Sequence, residues 1–90
     1  MKIVKIDVSH LKPPEPMTAI LSALARLDPS QCILVTHRRQ PFPLYEKLNQ
    51  AGWGYHCIKL AEEEFQIYIF RANSIDQFES LLASQQQGKI

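Results

Sequence analysis

Three prolines within four residues, Pro13, Pro14 and Pro16, separate an extended apolar segment from an amphipathic helix. Proline is tolerated in the first turn of a helix, because the N–H it lacks would be unsatisfied there and its φ is already helical. The residue before a proline is pushed towards extended geometry. The run from Val8 through His10, Leu11 and Lys12 to Met17 therefore predicts a stiff strand-to-helix elbow, with Pro14 or Pro16 in the first helical turn.

The flanks agree. Val4, Ile6 and Val8 alternate with Lys5 and Asp7, the period of a half-buried strand. Met17, Ile20, Leu21, Leu24 and Leu27 recur at helical spacing, and Asp28-Pro29-Ser30 stops the helix. This spacing predicts that Met17, Leu21, Leu24, Ile33 and Ile67 are buried. Cys32-Ile33-Leu34-Val35 is a continuous apolar run suited to a strand inside the sheet. Thr36 to Pro41 is a polar loop. Leu44, Tyr45, Leu48 and Ala51 mark a second helix, which Gly52 can cap.

Two further strands are expected, Trp53–Leu60 and Phe65–Arg71, joined by the loop Ala61 to Glu64. That loop pairs Leu60 with Phe65, Ile58 with Ile67 and His56 with Ile69 on the helix-covered face. It leaves Tyr55, Cys57, Tyr68 and Phe70 on the other. One residue of slip exchanges the two sets. Ser74 caps a third helical pattern through Ile75, Phe78, Leu81 and Leu82, and the chain frays from about Ser84.

The 90 residues are read as a single domain, 1–90. A net charge of +1 implies no general affinity for polyanions, and no apolar run reaches a membrane-spanning length of about 20 residues. The N-terminal segment is too charged for a secretory signal. Two cysteines, Cys32 and Cys57, form no disulfide framework, so a cytoplasmic, reducing setting is expected.

Leu11-Lys12-Pro13-Pro14-Glu15-Pro16 resembles the elbow of the TusA/SirA-like sulfur-carrier superfamily, Gly-Leu-x-Cys-Pro-x-Pro, with Pro13 where the sulfur-carrying cysteine stands. Pro41-Phe42-Pro43-Leu44 is similar to the Pro-x-Pro-Leu segment of one branch of that superfamily, a domain of unknown function that also carries Pro-Pro-Glu-Pro. Many members of the branch have Asn-Asp-His-Asp before that segment. Here His37, Arg38, Arg39 and Gln40 occupy the four positions, so an acidic character becomes basic. The resemblance implies a bacterial, cytoplasmic α/β (α+β) two-layer sandwich of order β-α-β-α-β-β. It further implies a four-stranded mixed sheet ordered 1-2-4-3, two helices on one face and a short C-terminal helix. With the cysteine position lost, it implies no enzyme and no cofactor.

The residues suggest four candidate sites. Loops after the two parallel strands bring His10, Lys12, Glu15, His37, Arg38 and Arg39 towards one edge, where helix N-termini also favour anions. Glu15 is expected to pair with Lys12 or Arg38. Trp53, Tyr55, Cys57, Tyr68 and Phe70 form an aromatic patch for a protein partner, unless the third helix covers it; the chain itself is read as a monomer or weak homodimer. A sulfur-relay or redox role would use Cys57 or Cys32, but neither sits at a helix N-terminus that would lower its pKa. A metal site is not expected, since His10 and His37 alone fall short of a zinc ligand set. Nucleic-acid binding through Lys12, Arg38 and Arg39 is the remaining alternative, and the near-neutral charge disfavours it.

Overall fold

The computed structural model describes residues 1–12 and 15–87, with the side chains of 86 and 87 left aside. Pro13 and Pro14 lie outside the described residues. The elements are β1 (Lys2–Asp7), α1 (Glu15–Ala25), β2 (Gln31–His37), α2 (Phe42–Gln50), β3 (Trp53–Ala61), β4 (Glu64–Arg71) and α3 (Ile75–Gln87), with a 3-10 turn over Ala72–Ser74. Pro16 does fall in the first turn of α1. The four strands form one mixed sheet of order β1-β2-β4-β3. β1 and β2 are parallel, with Val4 opposite Ile33 and Asp7 opposite Thr36. β4 runs antiparallel to both β2 and β3.

β2 and β4 are apolar on both sides because both faces of the sheet are covered. Ile33 and Val35 of β2, with Ile67 and Ile69 of β4, join Ile20, Leu24, Leu44, Tyr45 and Leu48 in the main core under α1 and α2. Cys32 and Leu34, with Tyr68 and Phe70, form a second cluster on the far face around Phe78 of α3. Phe78 stacks on Phe70 at 4.1 Å and meets Tyr68 at 5.3 Å. The third helix therefore covers the far face.

The β3–β4 register is one residue away from the sequence expectation. Tyr55 pairs with Ile69, Cys57 with Ile67 and His56 with Tyr68. The turn is tight, with only Glu62 and Glu63 between the strands. A register shift between Lys59 and Ala61 absorbs Leu60, which is half exposed. A bulge of this kind places two residues of one strand against one of the other, and the side chains beyond it change faces. Tyr55 and Cys57 consequently face α1 and α2. Gly54 lies opposite Phe70, and a Cβ there would come within 2.5 Å of the Phe70 ring. The missing side chain makes room for that ring.

Other expectations also shift. Leu21 is exposed and Met17 only half-buried, whereas Leu24, Ile33 and Ile67 are buried as expected. The segment from Ser84 to Gln87 is helical rather than frayed, and the Tyr68 hydroxyl donates to Gln85 Oε1 at 2.9 Å. A 3-10 turn leads into α3 in place of a Ser74 cap. Gly52 adopts φ +84°, the left-handed conformation of a helix C-terminus.

Candidate functional site

Both parallel strands end at one edge of the sheet, and the first residues of α1 and α2 return to it. After β1, the Ser9 amide and hydroxyl donate to Asp7 Oδ1 at 2.9 and 2.6 Å. These bonds hold the Asp7 carboxyl below its ordinary pKa, because they favour the ionised form. The Leu11 amide then donates to the Val8 carbonyl at 3.1 Å, which closes a turn and carries the chain to Lys12. After β2, the Arg39 amide donates to His37 Nδ1 at 3.0 Å. That bond requires a lone pair on Nδ1 and so places the proton of the neutral ring on Nε2. Burial, with Arg39 nearby, pushes the His37 pKa down and keeps the imidazole neutral.

Two cavities adjoin these loops. The larger, about 410 Å³, opens between the starts of α1 and α2 and is lined by Pro16, Met17, Ile20, Pro41, Pro43 and Leu44, with His37, Arg39 and Gln40 at its polar side. The smaller, about 180 Å³, runs from Val8, Ser9 and Leu11 past Lys12 to Arg38. Pro16, His37 and Arg39 line both, so the two are neighbours across those side chains.

Four of the six residues expected at this edge therefore line a cavity: Lys12, His37, Arg38 and Arg39. His10 and Glu15 line neither. Glu15 does not take Arg38 as its partner, since the Arg38 guanidinium reaches Glu63 of the β3–β4 turn at 3.8 Å. Both ends of that pair are exposed, so it adds little stability. Among the described residues, Lys12 and Arg39 have no ion-pair partner. Sequence reasoning missed the apolar wall, because the spacing of Met17 and Ile20 marks them simply as core. The signal present in the sequence was the pairing of Pro16 with Pro41 and Pro43 at the two helix starts.

The aromatic patch does not hold together as one surface. Tyr68 and Phe70 are buried beneath Phe78 on the far face. Trp53, Tyr55 and Cys57 pack at the edge of the main core on the opposite face. The one-residue change of register is the physical reason. Tyr55 stacks on Tyr45 at 4.1 Å with the rings 4° from parallel. Arg71 lies 4.8 Å over the Trp53 ring and donates to the Leu27 carbonyl at 3.2 Å. The Tyr45 hydroxyl is buried without a hydrogen-bond partner among the described residues, and burial, followed by the adjacent Cys57 thiol, raises its pKa. Cys32 is fully buried, and desolvation raises its thiol pKa. Among the described residues, no three His, Cys, Asp or Glu side chains cluster to hold a metal ion, and no helix is long and apolar enough to cross a membrane.

Fold and edge together define an α+β domain with a basic, partly apolar pocket at the carboxyl ends of its parallel strands. The chain belongs to DUF2249, a family of uncharacterized conserved proteins, whose family model matches residues 5–71. That span runs from β1 to the end of β4 and includes both loops of the site, while α3 lies beyond it. Neither a curated protein nor a solved structure matches the chain.

The position of His37 predicts a pH effect on stability. The unfolded chain takes up a proton near the ordinary pKa of 6.5, and the folded chain only at lower pH. Between those values the unfolded state binds more protons, so stability falls as pH drops below about 6.5 and levels off beneath the folded pKa. Lys12, Arg38 and Arg39 share the site, so a proton on His37 adds to an already basic edge. Denaturant midpoints measured from pH 7.5 to 5 should therefore fall less in His37→Gln than in the parent. Parallel profiles would assign the loss to other groups.

Proposed function

We propose that this protein is a non-catalytic binding module, related to the TusA/SirA-like superfamily, that holds a small anionic ligand at the edge formed by the elbow after β1 and the loop after β2. One observation carries the reading. Lys12 and Arg39, both without an ion-pair partner among the described residues, line cavities flanked by the starts of α1 and α2. The starts of α1 and α2 contribute the positive end of the helix dipole more than free N–H groups. Pro16, Pro41 and Pro43 have no N–H, and the Glu15, Phe42 and Leu44 amides donate to the carbonyls of Lys12, Gln40 and Pro41 respectively. The main anchor is arginine, which binds carboxylate or phosphate with two parallel bonds. On this reading the protein works in the reducing cytoplasm, with Cys32 and Cys57 as free thiols.

The adaptor reading, with a protein partner docked on the aromatic residues, has less support because Phe78 covers Tyr68 and Phe70. The sulfur-relay reading is weakened at Cys32, where burial disfavours the reactive thiolate.

Titration with inorganic phosphate tests the proposal. Amide signals of residues 10–12 and 37–40 should move together and saturate, while those of Lys2 and Lys5 on the exposed edge of β1 stay in place. Part of the shift should survive in 1 M salt, where the Debye length is about 3 Å. A titration that moves every basic residue alike would overturn the reading. Movement confined to Trp53 and Tyr55 would favour the adaptor instead.

A further inference from the structure

We infer that the ligand of this edge is an organic anion with an apolar body, its charged head held by Arg39 and Lys12 and its body lodged in the cavity between the starts of α1 and α2. The inference rests on the anion-binding reading and specifies its ligand class. Three observations support it. First, the larger cavity is walled by Pro16, Met17, Ile20, Pro41, Pro43 and Leu44, and its volume of about 410 Å³ is that of a small-molecule site. A bare inorganic ion leaves such a wall in contact with water. Second, every charged side chain lining either cavity is basic, and all of them lie towards the smaller one. A charged head and an apolar body thus have separate places that meet at His37 and Arg39. Third, Arg38 has Glu63 as an exposed ion-pair partner at 3.8 Å, whereas Arg39 and Lys12 have no ion-pair partner among the described residues.

The neutral His37 ring contributes by shape and by its remaining N–H. Its Nδ1 is occupied by the Arg39 amide, an arrangement that also fixes the loop bearing the Arg39 side chain. At about 30 Å³ for each water-sized group, the cavity has room for roughly a dozen such groups. That suits a short acyl chain or a single aromatic ring rather than a long lipid.

A homologous series separates this inference from the broader reading. Acetate, butyrate, hexanoate, hexanamide and inorganic phosphate are titrated separately and followed by amide and methyl shifts. Affinity should climb from acetate to hexanoate by about twofold to fourfold per methylene, the upper value being the full transfer contribution of a buried CH₂. Hexanoate should shift the methyl signals of Met17, Ile20 and Leu44, and hexanamide should bind at least tenfold more weakly. Met17→Trp, a change at a half-buried position that fills the cavity, should abolish the chain-length dependence and leave phosphate binding intact. Arg39→Gln should weaken hexanoate and phosphate alike, and the circular dichroism spectrum of each variant checks its fold. If phosphate, acetate and hexanoate bind equally, the anion site stands and the apolar-bodied ligand is overturned. If hexanamide matches hexanoate, the charged head is overturned. If nothing binds, both readings fall.

Discussion

Phe78→Ala is expected to cost about 3–5 kcal/mol, the usual range for emptying a buried aromatic site. Phe78 is 2% exposed and is the one fully buried residue among the described residues of α3. Its ring stacks on Phe70, meets Tyr68 and lies 6.2 Å from His56. Leu81 and Leu82 are only partly buried against the same cluster. A domain of this size is stable by roughly 5–15 kcal/mol, so the loss would be a large fraction of the total. The structural consequence should be local. Hydrogen exchange should show α3 amides losing protection before those of β2 and β4, whose helix-covered face retains its own core. Unchanged exchange in α3 would mean that Phe78 does not anchor the helix. The loss should also uncover Tyr68 and Phe70, giving the far face the apolar patch that the intact protein lacks.

The second large effect lies in α1 and distinguishes two leucines three residues apart. Leu24 is 4% exposed and belongs to the main core, whereas Leu21 is 38% exposed. Leu24→Ala should lower stability by about 2–5 kcal/mol, from lost transfer energy plus the cavity left behind. Leu21→Ala should cost about 1 kcal/mol or less, because much of that side chain already meets water. Urea midpoints with unchanged m-values provide the comparison. Equal losses at the two positions would mean that α1 presents a different face to the sheet. The orientation matters for the site, because the same helix supplies Pro16, Met17 and Ile20 to the larger cavity.

Much of the candidate site was legible in the loops. The positions of Lys12, His37, Arg38 and Arg39 after successive parallel strands require them to gather at one edge, since a parallel pair ends its strands on the same side. The roles of Glu15, His10 and Glu63 were not legible. Whether Arg38 turns to Glu15 or to Glu63 depends on the turn between β3 and β4, more than twenty residues away in the chain. The cavity was hidden for a related reason. Met17, Ile20 and Leu44 have the spacing of core residues, and only the relative placement of two helices leaves a gap between them.

Local rules were sufficient where neighbouring residues decide. Apolar periodicity, the proline elbow and Gly52 delimit the strands and the two main helices, because each depends on the conformational limits of a few consecutive residues. Tertiary structure decided what depends on pairing between segments. Strand side chains alternate with period two, so the bulge between Lys59 and Ala61 moves Tyr55 and Cys57 from one face to the other without altering the pattern of apolar residues. The docking of Phe78 against Phe70, opposite Gly54, then settles which aromatic residues are covered. Sequence periodicity carries the type of each element, while the face it presents is set by the partner against which it packs.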